Sequence, residues 1–130
     1  MGLLEFFKPK SSGFGRASVS QQTEAAIKGD WANIDILIGQ KGPSQLRQAL
    51  ITADKTLDAA LKDSVAGENM GERLKNVKDK FEWSAYDKLW KAHKMRNSMV
   101  HEAGFEPPHF AVTEAIETLR ASLITLGVRV

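Results

Sequence analysis

From Ser18 to Val130 apolar residues recur every three or four positions, and stretches alternating apolar with polar are scarce. That period builds helices with one buried stripe and does not suit a half-buried sheet. An all-α fold is therefore expected, and the punctuation divides it. Ser18 to about Gln40 is helix-compatible through Ile27, Trp31, Ile34 and Leu37, with Gly29-Asp30 expected to break or bend it. Gly42-Pro43-Ser44 opens a second helix, since proline is tolerated in a first turn; Leu46, Ala49, Leu50, Ala53, Leu57 and Leu61 form its face, and Gly67 is placed to stop it. Asn69-x-x-Glu72 reads as a capping box before a short helix with Leu74, Val77 and Phe81. Ser84-x-x-Asp87, a weaker box, opens a helix running to about Glu102. Beyond Pro107-Pro108, a last helix carries Val112, Ile116, Leu119 and Leu123 on one stripe and closes at Gly127. The expected architecture is an antiparallel bundle of four to five helices.

A chain of 130 residues suits one core, and residues 18–130 are assigned to a single helical domain. Residues 1–17 differ: a short apolar head with Leu3, Leu4, Phe6 and Phe7 precedes a Lys-Pro-Lys, Ser and Gly stretch of linker composition. They are expected to form a flexible arm, without the pattern of a signal peptide. The absence of cysteine excludes disulfide scaffolds, thiolate zinc sites and a catalytic thiol. No apolar run approaches the ~20 residues of a spanning helix, so no integral membrane segment is expected and the cytoplasm is the expected location. The formal net charge is only +2, but its distribution is uneven. Between Arg73 and Arg96, eight basic residues face three acidic ones.

The segment Ser84–Glu102 holds the one inconsistency in the pattern. At about 100° per residue, one face collects Asp87, Lys88, Lys91, Lys94, Ser98 and Glu102, an ordinary solvated surface. The other collects Ala85, Tyr86, Leu89, Trp90, Ala92, Met99 and Val100, which must face protein. His93, Arg96, Asn97 and His101 fall inside that second arc. Turning a guanidinium, an amide and two imidazoles inward costs several kcal/mol unless they meet partners, a cleft or a ligand. His93 and His101 are about 12 Å apart along the axis, too far for a shared metal, so no metal site and no cofactor are expected. A structural role is open: Asp54, at the margin of the second helix's apolar arc, is placed to meet Arg96 within one subunit.

A catalytic role is open as well. RNA carries its own nucleophile, the 2′-hydroxyl; an imidazole can move the proton and a guanidinium can pair with the charging phosphate oxygens. Arg96 and His101 have that chemistry but point about 140° apart on one helix. Two copies about a two-fold axis would bring both pairs into one cleft, which makes a homodimer part of the expectation. Lys91 and Lys94 on the flanking face would attract the phosphate backbone. A third possibility is a helical module that binds nucleotide, RNA or a protein partner without turnover.

Arg96-Asn97-Ser98-Met99-Val100-His101 resembles the signature of the HEPN superfamily, an Arg, then a polar residue, then a His four to six positions after the Arg near a helix end. The similarity extends over about Trp31 to Gly127, through Trp31-Ala-Asn-Ile34, Ala53-Asp54-Lys55, Met70-Gly71-Glu72-Arg73-Leu74, and Ala92-His93-Lys94-Met95-Arg96-Asn97 running into His101-Glu102. The resemblance implies a HEPN-like antiparallel bundle whose dimer lines a cleft with both motifs. It also implies metal-independent endoribonuclease activity of the toxin or defence kind, leaving 2′,3′-cyclic phosphate ends. Carried over by position, Arg96 would bind phosphate, His101 would be catalytic and Asn97 would orient the pair; beside this carry-over, Asp54, His93 and Glu102 are expected to support them. An antitoxin or other protein partner is implied too. Toxins neutralised by a nucleotidyltransferase carry a Tyr two positions after the His; here that position is Ala103 and the only tyrosine is Tyr86.

Overall fold

A computed structural model of the protein describes residues 18–130, so the expected arm over residues 1–17 lies outside the described residues. Among them are five α-helices, with no strand: α1 (Gln21–Gln40), α2 (Pro43–Ser64), α3 (Met70–Asn76), α4 (Trp83–His101) and α5 (His109–Thr125), with a 3-10 turn at Lys78–Lys80. The helical bundle expected from the period is present.

The second helix is the hub. It packs against α1, α3, α4 and α5, while α4 also packs on α5. Its period explains this position: Ala49, Leu50, Ala53, Leu57, Ala60 and Leu61 are all wholly buried, a stripe wide enough for several neighbours. Ile34, Leu89, Ile116, Leu119 and Leu123 complete the centre from the other helices. Burying each such side chain contributes about 1.5–3 kcal/mol. Two residues, Lys41 and Gly42, connect α1 to α2, and Lys41 takes the left-handed conformation at φ 63° that reverses the chain. A link that short between packed helices makes them antiparallel neighbours.

Three boundaries differ from the sequence expectation. Gly29 lies inside an unbroken α1. A lone mid-helix glycine costs about 1 kcal/mol, and the burial of Ile27, Trp31 and Ile34 on either side outweighs it. Nor does Gly67 terminate α2, which ends at Ser64 with extended Val65 as its cap. Gly67 is instead held at φ +152°, where a Cβ would stand 2.9 Å from the Arg73 backbone nitrogen and 2.7 Å from its Cγ. The approach is close because Arg73 staples this loop: its guanidinium donates to both oxygens of Asp58 at 2.8 and 3.1 Å and to the Gly67 carbonyl at 2.9 Å. Finally, Ser84 does not cap α4. Phe81, packed against the core, ends the 3-10 turn, leaving only Glu82 before the helix begins at Trp83.

The Asn69 box forms with a shift. Asn69 accepts from the Glu72 amide at 2.9 Å, but the Glu72 carboxylate accepts from Glu68, one residue earlier than the motif specifies. At the far end Gly127, at φ 94°, turns the chain so that the Val128 amide reaches the Leu123 carbonyl at 3.0 Å. Polar pins join the layers. The Trp31 indole N–H donates to Thr56 Oγ1 at 3.0 Å, and the Thr56 hydroxyl donates to the Ala53 carbonyl. Arg120 from α5 lies over the Trp31 ring, 4.5 Å from its centroid, while pairing with Asp35.

Candidate functional site

Asp54 sits among the most deeply buried residues of α2 and is 2% exposed. A lone carboxylate there would carry a cost of several kcal/mol, so its partners decide what the position is for. They come from α4. His93 Nδ1 lies 3.1 Å from each carboxylate oxygen, and Arg96 Nε lies 3.6 Å from Oδ2. The sequence places them together because His93, Arg96 and Asn97 follow one another at three and four positions, neighbours on one side of a helix. Leu89, Ala92 and Met99, all buried, hold that side of α4 against the bundle.

Asn97 closes the ring. Its Oδ1 accepts from Arg96 Nη1 at 2.9 Å, and its Nδ2 stands 3.3 Å from His93 Nε2. With the amide oxygen taken by Arg96, the amino group must donate to the imidazole. The imidazole turns Nδ1 to Asp54 and Nε2 to the amide. The network thus contains one carboxylate and one guanidinium, bridged by an imidazole and an amide.

The guanidinium is only partly satisfied. Arg96 Nε is buried without a hydrogen-bond partner, since 3.6 Å is beyond bonding length. Among the described residues Nη2 has no partner, and the side chain is 30% exposed. One edge of a fixed cation therefore faces outward.

Of the eight residues singled out from sequence, Asp54, His93, Arg96 and Asn97 come together and the other four do not join them. His101 is the last residue of α4, exposed, and makes no side-chain hydrogen bond among the described residues. It is not buried against the core, and neither are Ala85 and Val100, both exposed where the helical projection put them inward. The bundle covers a narrower arc of α4 than the sequence pattern suggests, because the helix packs mainly against α5 and α2. Glu102 caps α4 through its backbone, its amide donating to the Ser98 carbonyl at 2.9 Å. Lys91 is paired with Asp87 at 2.8 Å, and exposed Lys94 lies over Trp90, 6.0 Å from the ring centroid.

The basic stretch is less free than its composition implies. Arg73 is buried and held by Asp58, and Arg96 and Lys91 also have carboxylate partners. Lys75, Lys78, Lys80, Lys88 and Lys94 are exposed with no carboxylate partner among the described residues. The signal sequence reasoning missed is the buried Arg73; nothing at its own position distinguishes it from the lysines nearby. A groove of about 390 Å³ between α4 and α5 is lined by Phe81, Ser84, Lys88, Glu114, Thr118 and neighbours, away from the network. Among the described residues no group of three or more His, Asp and Glu is placed to hold a metal ion, and no helix is long and apolar enough to cross a membrane. Comparison with protein-family models, curated proteins and solved structures finds no match to this chain in any of the three.

Proposed function

We propose that this protein is a HEPN-like endoribonuclease acting as a homodimer, cutting RNA by attack of its own 2′-hydroxyl without a metal. The observation that carries the reading is the Arg96 guanidinium: fixed from behind by Asp54 and Asn97, it still has an open edge at Nη2, which has no partner among the described residues. A cation held in place with donors to spare suits a phosphate whose charge grows in the transition state. In the proposed reaction the 2′-oxygen bonds to phosphorus as the bond to the 5′-oxygen breaks, leaving a 2′,3′-cyclic phosphate and a 5′-hydroxyl. His101, exposed at the end of α4, transfers the proton. Asn97 and His93 position Arg96, and Lys94 draws the backbone in. Because Arg96 and His101 diverge on one helix, the working pair combines Arg96 of one chain with His101 of a second copy.

A second reading has its own support. Within one chain Asp54 already neutralises Arg96, which suits a module that binds nucleotide, RNA or a protein partner without turnover. The test is incubation of the full-length protein with single-stranded RNA in excess EDTA. Cleavage with cyclic phosphate ends is expected, abolished in both Arg96→Ala and His101→Ala while circular dichroism shows both folded. Cleavage that survives either substitution overturns the assigned roles, and binding without turnover supports the second reading.

A further inference from the structure

Alongside the Asp54 network, α4 carries a row of residues that the network leaves largely unused. Trp83, Trp90, Lys94, Asn97 and His101 fall within about 60° of one another at 100° per residue, forming one stripe along the helix. Trp83 is 76% exposed. A bare indole is the costliest side chain to leave in water, since its apolar area gains most from being covered. Trp90 is half-buried and rigidly set: it meets Tyr86 edge-on at 6.5 Å and His93 at 6.0 Å, and Tyr86 is itself fixed by donating to the Leu74 carbonyl at 2.9 Å. Just ahead of the row, the 3-10 turn presents exposed Lys78 and Lys80.

We propose that this row is a track for single-stranded RNA, with a nucleobase stacked on Trp83 and the phosphates met by Lys78, Lys80 and Lys94. The inference names the substrate form of the site described above and rests on that reading. Aromatic faces accept any base, and interleaved lysines follow the backbone, the combination that binds single strands. Trp83 and Trp90 are two turns apart, about 10.5 Å along the axis. The same row continues to His101, so a strand following it arrives at the proposed proton-transfer residue. A second protein helix is the poorer occupant, because Lys94 and Asn97 stand where an interface core would need apolar side chains. Asp79 and Glu82, exposed beside Trp83, oppose phosphate locally; stacking rather than charge therefore anchors that end.

The test is fluorescence anisotropy of the full-length protein with a labelled 2′-O-methyl oligouridylate, which cannot be cut, and with an abasic oligomer of the same length. Trp83→Ala is expected to weaken binding roughly tenfold, while Trp83→Phe retains most of it. The abasic oligomer should bind the wild type about as weakly as the intact oligomer binds Trp83→Ala. Binding unchanged in Trp83→Ala overturns the proposal, as does a wild type that binds neither oligomer. So does a Trp83→Ala protein that loses self-association but binds RNA normally, which would make the row a protein interface. Because the probe does not react, the two readings fail separately: RNA left uncut despite Trp83-dependent binding removes the nuclease alone, and cleavage without Trp83 dependence removes the track alone.

Discussion

Asp54 is the residue on which the network depends. It carries the buried negative charge that both His93 and Arg96 approach, so removing it leaves a partly buried guanidinium with no counter-ion. Asp54→Ala is expected to destabilise the fold by about 3–5 kcal/mol, the cost of breaking a buried pair from one side. Arg96→Ala should cost less, about 1–2 kcal/mol, since the carboxylate keeps its imidazole donor. Urea unfolding of the two variants measures the order, and a larger loss for Arg96→Ala would show that Arg96, not Asp54, is the structural centre. The sequence made Arg96, His93 and Asn97 legible as inward-facing polar groups, because their helix is short-range and periodic. It also pointed Asp54 towards Arg96, which lies 3.6 Å away, but not towards His93, since 39 residues separate the two and no local pattern encodes that contact. Arg73 was illegible for the same reason: its partner Asp58 lies across a loop, and only the close approach at Gly67 makes the pairing visible.

At the scale of elements, the termini of the bundle are tied by carboxylates. Glu24 near the start of α1 accepts from the Arg129 amide at 3.0 Å and from its guanidinium at 3.2 and 3.3 Å. The Arg129 side-chain bonds, followed by its backbone N–H, lower the Glu24 pKa from 4.5 to about 2. Asp63 at the end of α2 is likewise held below the usual carboxylate range, chiefly by the Ser20 amide at 3.0 Å. A carboxylate with a depressed folded-state pKa stabilises the fold above its unfolded pKa and loses that contribution as pH falls through the folded value. Between about pH 4.5 and 2 the wild type should therefore lose more stability than Glu24→Gln, as read by thermal melts across that window. Parallel slopes for the two proteins would show that the tie contributes nothing. These long-range ties were beyond the reach of periodicity, which did locate the helices themselves. Pro43 and the Asn69 cap are local signals and were readable, whereas α4's start was set by Phe81's anchoring and misled the reading of Ser84.

At the scale of the whole molecule, one bundle presents half of the proposed reaction centre. Arg96 is held against α2 with one edge outward, and His101 stands exposed at the end of the same helix; in the proposed reaction a second chain brings the two groups to one phosphate. Complementation between inactive variants tests this most directly. Purified Arg96→Ala and His101→Ala proteins are each expected to be inert towards single-stranded RNA. Mixed and allowed to exchange subunits, they should regain cleavage, because each mixed dimer holds one intact Arg96 from one chain and one intact His101 from the other. A mixture that exchanges subunits yet stays as inert as its components would contradict the shared centre.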